Sequence, residues 1–409
     1  MTADAGHTSG PLDRFFLHVG STTGFVLDFD GPPPDHERLT ARVLHRAAAL
    51  PALHLLAPGP GGRRWRPGAG PLHGDAHVPR PVVARAPGDL EADTDELLRR
   101  PLPAPPHPPW DLRLLDDPAR HRFRVCYRVT HALQDGVGAA HAALALLADR
   151  TTPGPHAHHA ARPTAKGALL ATWAVARALR PGRAWDAWQA PPTRQTRWTY
   201  QDVPEPWVRE AAAAHGVTVN DLCLAALAQA LGRWHALHTA PHRPVPDLRV
   251  LVPMSLRQKH ERHAPGNRLV AQFVRLPCST PRFEDVLRDI HRQTLATRVT
   301  GQRDALRLAM RLSPSRPGKY VCQALIAGKR APVIASTVVF PSDFTCAGAR
   351  LRAASMFNDL YGGRLCYVSF TRAADVIRCG TYYDGALPHG HAISRLWRDA
   401  LLRRVRPER

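Results

Sequence analysis

His131 and, four positions on, the pair Asp135-Gly136 are the residues of this chain whose types and spacing could do chemistry together. A neutral imidazole shielded from bulk water, with an ordinary pKa of about 6.5, takes a proton from a hydroxyl or an amine around neutral pH. A second reading stands beside this one. A histidine that ends a strand is commonly structural, and Asp-Gly is ordinary turn chemistry.

A strand must present the imidazole. Phe123, Val125, Tyr127 and Val129 alternate with Arg122, Arg124, Cys126 and Arg128, the two-residue period of a strand with one buried face, and His131 falls in the buried phase. Gly136 to Arg150 has helical composition and stops at Thr151-Thr-Pro-Gly154. Asp135 therefore stands at or just before a helix start, where exposed amides favour a carboxylate.

A length of 409 residues implies two domains of roughly 150 to 220 residues. No run of eighteen apolar residues occurs, and Met1-Thr-Ala-Asp-Ala lacks the basic-then-apolar start of a secretory signal, so a cytoplasmic protein is expected. The seven cysteines are scattered and never form Cys-x-x-Cys, which argues for reduced filler rather than disulfides or a metal site. The net charge of +21 comes almost wholly from arginine, since lysine occurs only at 166, 259, 319 and 329. It favours anionic partners: coenzyme A, an acidic carrier protein or an anionic membrane surface. Nucleic acid is set aside, because the basic residues are dispersed and no RNA-binding aromatic signature or zinc finger accompanies them.

Taken in order, Phe25 to Phe29 reads as a strand, Asp35 to Leu50 as a helix, 57–80 as a loop and Asp89 to Arg100 as a helix. A proline-rich segment runs into Trp110-Asp-Leu-Arg-Leu-Leu115 ahead of the histidine strand. His156, His158 and His159 lie in a Pro/Gly-rich stretch with no regular ligand spacing, so a solvated linker is expected there. Ala165 to Ala190 reads as a helical crossover. Thr218 with Asp221 has the shape of a capping box before a helix over Leu222 to Trp234. Strands follow at Leu248 to Arg257 and Leu269 to Leu276, helices at 282–297 and 302–312, and strands at Pro332 to Phe340, Arg364 to Thr371 and Val376 to Tyr383. A basic amphipathic helix, Ala392 to Val405, reads as a surface helix, with peripheral membrane contact its minority option. This irregular mixture predicts an α+β protein. Neither Gly-x-Gly-x-x-Gly, a phosphate-loop lysine nor a Gly-x-Ser-x-Gly elbow occurs, which argues against nucleotide folds and serine hydrolases.

Six segments in order carry a resemblance. Thr130-His131-Ala-Leu-Gln-Asp135-Gly136 resembles the His-His-x-x-x-Asp-Gly signature of the bacterial wax ester synthase/diacylglycerol acyltransferase family, within the superfamily that includes nonribosomal peptide condensation domains. Pro108-Pro109-Trp110 resembles the family's Pro-Leu-Trp element and Val219-Asn220-Asp221 its Asn-Asp element. Val252-Pro253-Met-Ser255-Leu-Arg257 and Gly266-Asn267-Arg268 resemble the segments that follow, and Ser336-Thr337-Val338-Val339-Phe340-Pro341 stands where Ser-Asn-Val-Pro-Gly-Pro is common. Thr130 replaces the first histidine, and Thr337 and Phe340 depart from the late motif.

The resemblance implies two lobes like chloramphenicol acetyltransferase enclosing a tunnel: an N-terminal lobe over 1–150, a crossover over 151–190 and a C-terminal lobe over 191–409. It implies acyl transfer from an acyl-CoA or acyl-carrier thioester to a hydroxyl or amine, with His131 as general base and no covalent acyl-enzyme. Coenzyme A or phosphopantetheine would be part of the substrate, with no bound cofactor and no metal. Asp135 is expected to pair with an arginine of the other lobe, Arg257 being the candidate, and Gly136 to leave room for the substrate backbone or to let the turn form without a side chain. Asn220 is expected to donate near the developing oxyanion, with Asp221, Ser255, Arg257 and Ser336 positioning substrate and helix capping the stronger expectation for Asp221. The donor is either a long-chain acyl-CoA serving a lipid alcohol or a carrier-bound group in specialised metabolism. The reading from another class is an inactive binding protein.

Overall fold

The strand that leads to His131 lies inside a six-stranded sheet, between two antiparallel neighbours. The structure is a computed structural model of the chain. It describes all residues except 1–5, 60, 85, 87–88, 151–153, 156–157, 159–162, 181–184, 240–244 and 406–409, and the side chains of 315 and 317.

With elements of seven residues or more numbered in chain order, the first half contains α1 (Pro11–Val19), β1 (Thr22–Asp30), α2 (His36–Ala47), α3 (Asp89–Arg99), β2 (Trp110–Asp117), β3 (Arg122–Thr130), α4 (Gly136–Leu147) and α5 (Ala165–Leu179). The second contains β4 (Thr196–Pro204), α6 (Glu205–Ala214), α7 (Val219–His238), β5 (Leu248–Ser255), β6 (Leu269–Leu276), α8 (Phe283–Val299), α9 (Gln302–Leu312), α10 (Ser315–Ile326), β7 (Val333–Val339), β8 (Ala349–Asn358), β9 (Cys366–Ala373), β10 (Val376–Asp384) and α11 (Ala392–Val405).

Two sheets organise these elements. One has the order Thr345–Cys346, β8, β1, β3, β2, Val82–Val83; the other runs β6, β5, β7, β9, β10, β4. In the second, β7 is parallel to both β5 and β9, and the remaining pairings are antiparallel. The first sheet is not built from the first half alone. Strand β8 pairs with β1 from Asp30 to Thr23, so a late segment of the chain returns to the first sheet. Two apolar cores follow, one around the first sheet and its seam with the second, the other beneath the second sheet against α7 and α11.

The register of β3 corrects one expectation. Phe123, Val125, Tyr127 and Val129 are buried, yet Arg124 and Arg128 on the opposite face are buried completely. Helix α3 covers that face. Arg124 donates to Asp28 and to Thr94, while Arg128 donates to both oxygens of Asp111 and to the carbonyls of Leu97 and Arg100. Arginine can be taken inside because each guanidinium finds a carboxylate and further acceptors.

Other corrections concern burial. Helix α11 has the expected bounds, but Ile393, Trp397, Ala400 and Leu401 are buried, and its apolar face belongs to the second core rather than to a membrane. Of the histidines read as a solvated linker, His158 is docked: its amide donates to the Arg257 carbonyl at 2.9 Å and its ring shares a hydrogen bond with Asp304 at 2.8 Å. His156 and His159 lie outside the described residues. The helix expected over Ala165 to Ala190 ends at Leu179, and the expected loop over 57–80 contains the short strand Arg64–Pro67 and the helical turn Gly74–His77. No single helix among the described residues is long and apolar enough to cross a membrane.

Candidate active site

His131 follows the last residue of β3, and its amide donates to the Ser21 carbonyl at 2.8 Å, which fixes the turn. Its ring lies flat against Phe16, centroids 3.6 Å apart and planes 7° from parallel, and only 4% of the residue is exposed. Burial pushes the imidazole pKa down to about 4, against the opposing pull of its own backbone carbonyl, Asp135, Asn267 and Asp13. The ring is therefore neutral at physiological pH, the form a base requires. Nδ1 has no well-formed hydrogen bond.

The loop after the histidine is clamped from the other sheet. Asp135 caps α4 by accepting from the Gly138 amide at 2.7 Å. It also accepts from Arg257 Nη2 at 2.9 Å, from Arg257 Nε at 3.3 Å and from the Arg268 amide at 2.7 Å. Burial works against its charge, but Arg257 and these amides outweigh that and hold the carboxyl below its usual range. Arg257 spends its remaining donors on the carbonyls of Glu261, Ala264 and Gly266. Both groups are fully engaged, so the Asp135 carboxylate pins the loop, its oxygens being taken up by Arg257 and backbone amides. Gly138 permits this approach: a Cβ there would stand 2.8 Å from Arg257 Nη2.

A second tie reaches the histidine from Asn267. Its side-chain amide donates both to Asp13 Oδ1 and to the His131 carbonyl, each at 2.8 Å, and its backbone amide donates to Asp13 at 2.7 Å. Asp13 also accepts from the Gly10 amide at 2.9 Å and contacts His7 at 3.0 Å. Although burial opposes it, these partners hold the Asp13 carboxyl below its ordinary value. Helix α1 thus supplies both the aromatic face under the imidazole and the carboxylate behind Asn267.

His131 lines a cavity of about 110 Å³ at the seam between the sheets. Asp135, Gly136, Ser255 and Ser336 line it too, as do Thr337, Asn358, Tyr361 and apolar walls from Phe16, Leu251, Ile334 and Met356. A Cβ on Gly136 would run into the Met356 thioether, so glycine there sets the cavity's width. Asn220, Asp221 and Arg257 are not among the lining residues. Asn220 stands behind Thr337 and accepts its hydroxyl proton at 2.6 Å. Asp221 completes the box with Thr218 and accepts from Thr294 at 2.7 Å, with His291 at 2.9 Å, so it joins α7 to α8 away from the histidine. None of the seven cysteines lines this cavity, and all seven are buried.

A larger cavity of about 510 Å³ adjoins it, with Leu251, Leu269, Ala271 and Ile326 lining both. Its further walls come mainly from α5, α9 and α10. Sequence reasoning missed α1 and with it Phe16 and Asp13. The signal was present, in Pro11 at the first helical position and in Leu12, Phe15 and Phe16 at helical spacing. The side-chain roles of Asn267 and Thr337 had no such signal.

Residues 12–184 match the sequence profile of the wax ester synthase/diacylglycerol acyltransferase catalytic domain. No sequence of a curated protein matches the chain. Among solved structures, the chain is similar to the wax ester synthase/diacylglycerol acyltransferase of Marinobacter aquaeolei VT8, with a TM-score of 0.68 and 18% identity over 97% of this chain and 98% of that one. It is also similar to the first condensation domain of the CDA synthetase, with a TM-score of 0.65 and 16% identity over 99% and 98% of the two chains. The starter condensation domain of rhizomide synthetase, in complex with C8-CoA and Leu-SNAC, gives a TM-score of 0.63 and 14% identity over 97% and 93%. Over residues 12–184 the chain is similar in sequence to the wax ester synthase/diacylglycerol acyltransferase catalytic domain, and over nearly its whole length it shares the fold of such an enzyme and of condensation domains.

Proposed function

We propose that the chain transfers an acyl group from a thioester to a hydroxyl or amine in a ternary complex, with His131 as general base. The observation that carries this is the neutral, stacked imidazole lining a cavity at the seam of two sheets and adjoined by an apolar space several times larger. The unprotonated ring nitrogen of His131 takes the acceptor's proton as the acceptor's oxygen or nitrogen attacks the thioester carbonyl. The tetrahedral intermediate then expels the thiolate, which takes the proton back from the imidazolium, so that ester or amide and free thiol leave. Base catalysis of this kind contributes about 10²- to 10⁴-fold.

Ser336 and Ser255 line the same space and are the groups proposed to position substrate or face the oxyanion. Asn220 acts only through Thr337, and Arg257 only through Asp135. Coenzyme A or phosphopantetheine is read as the leaving part of the substrate, with no resident cofactor. The apolar adjoining cavity favours a long hydrocarbon chain over a compact aminoacyl group, and hence an acyl-CoA donor with a lipid alcohol acceptor. Carrier-bound donors remain the second reading, supported by the excess of arginine.

Purified protein incubated with a panel of acyl-CoA and acyl-carrier donors and with alcohol or amine acceptors should release thiol in an acceptor-dependent manner. His131→Ala should lose that release while its circular dichroism and melting transition stay native-like. Undiminished turnover in a folded His131→Ala protein refutes the assignment.

A further inference from the structure

Nine of the twelve exposed large hydrophobic side chains among the described residues lie on α5, α8, α9 and α10 or at their ends. Leu169 is 71% exposed, Val299 71%, Leu312 73% and Tyr320 64%. These helices pack on one another, α9 against α5 and α8, and α10 against α5, so the exposed side chains lie on one cluster of adjoining helices. Apolar patches of this kind on a soluble fold mark a surface that meets something apolar.

Two further observations say what. First, Trp173 and Val321 belong both to this exposed set and to the lining of the 510 Å³ cavity, so the cavity opens within the patch. At its inner end it adjoins the space beside His131 through Leu251, Leu269, Ala271 and Ile326. Second, positive charge predominates around the patch: the second half of α8, where Leu295 and Val299 lie, carries Arg292 and Arg298, its three acids lying in the first half. Helices α5 and α10 carry Lys166, Arg177, Arg316 and Lys319 and no acid, and α9 carries three arginines against one acid. That acid, Asp304, is buried against His158. The Arg177 guanidinium sits 5.1 Å over the exposed Trp173 ring, an amphipathic pair of the kind found where hydrocarbon meets head groups.

We propose that the face formed by α5, α9, α10 and the end of α8 docks on an anionic lipid bilayer and that the cavity mouth admits a hydrocarbon chain from it. Exposed leucine, valine and tryptophan enter the boundary layer while the surrounding arginines and lysines meet anionic head groups. The C-terminal helix, whose apolar side is buried, takes no part. Admission of a substrate chain rests on the acyl-transfer reading, whereas docking does not.

The test is flotation of the full chain with vesicles of phosphatidylcholine alone or mixed equally with phosphatidylglycerol. The protein should float with the anionic vesicles, and substitution of Leu169→Glu, Leu312→Glu and Tyr320→Glu together should cut the floated fraction about tenfold or more. None of these three residues lines either cavity, so thiol release from a short water-soluble thioester should be unchanged and reports that the variant is folded. Leu237→Glu, an exposed position on α7, should float like the parent. Wild-type protein that stays down with anionic vesicles overturns the proposal. So does a triple variant that floats as well as the parent, or one that instead abolishes a dimer, which would show a second copy covering the face. Flotation that persists when no donor yields thiol leaves the docking surface standing and removes the acyl-transfer reading alone.

Discussion

Arg257 meets Asp135 across 122 positions of chain, guanidinium to carboxylate at 2.9 Å, with both side chains almost wholly withdrawn from water. The pair joins the loop after the catalytic candidate to the other sheet. Removing one partner strands the other charge in the interior, which costs about 3 to 5 kcal/mol. Arg257→Met and Asp135→Asn should each lower urea stability by that order, and the double variant should lose less than the sum of the two.

The pH dependence of turnover should betray the buried ring. With its pKa at about 4, His131 stays neutral well below the point at which an exposed histidine protonates. The kcat/KM profile should remain flat from pH 8 to near 5 and fall only beyond, whereas an acid limb centred near 6.5 would contradict the burial. Stability moves with it. The unfolded chain takes up a proton near 6.5 that the folded ring refuses until about 4, so this group weakens the fold as pH falls through that window. His141, also pushed down to about 4 by burial, adds to the same slope. Asp359 opposes it: burial raises its carboxyl to about 6, and its contribution is lost as pH rises through that value. Acid titration of the melting temperature in wild type and His131→Ala separates these parts.

Asn267 holds the His131 carbonyl without reaching the cavity side of the ring. Asn267→Leu removes both donations, to His131 and to Asp13. A displaced imidazole should cut kcat by about 10²-fold with KM nearly unchanged, and steady-state kinetics on one donor-acceptor pair reads the split. A parallel rise in KM would mean that Asn267 touches substrate.

Gly136 and Met356 share one volume. In Gly136→Ala the new methyl displaces the thioether into the cavity, so KM for the substrate that fills it should rise. Met356→Ala in the same chain should restore it, because the contested space is then free. A loss of activity not relieved by the second substitution would place the fault in the turn.

Much of the fold was readable because local patterns were strong. Alternation marked β3, β9 and β10, the Thr218 box marked the start of α7, and the resemblance of six ordered segments pointed to two lobes. Elsewhere a tertiary partner overrode the local pattern. Arg124 and Arg128 read as a wet face, since nothing nearby in sequence announces that Asp28 and Asp111 will meet them inside. Strand β8 went unread because Ala349 to Asn358 is buried on both faces over its second half and so lacks alternation. The geometry of the candidate site was legible where motifs carried it, in the placement of His131 at a cavity and the pairing of Asp135 with Arg257. It was illegible where contact depends on remote segments meeting, as Phe16, Asp13 and Asn267 do.

Strand β8 also sets a timetable for synthesis. The Thr23 hydroxyl reaches the Phe357 carbonyl, 334 positions later. At roughly 5 to 20 residues per second, translation takes on the order of tens of seconds to deliver that strand. Through that interval one margin of Thr22–Asp30 offers unpaired amides and carbonyls to any passing extended segment. A nascent chain stalled near residue 340 should therefore be a client for ribosome-associated chaperones, and release from them should coincide with emergence of Ala349–Asn358.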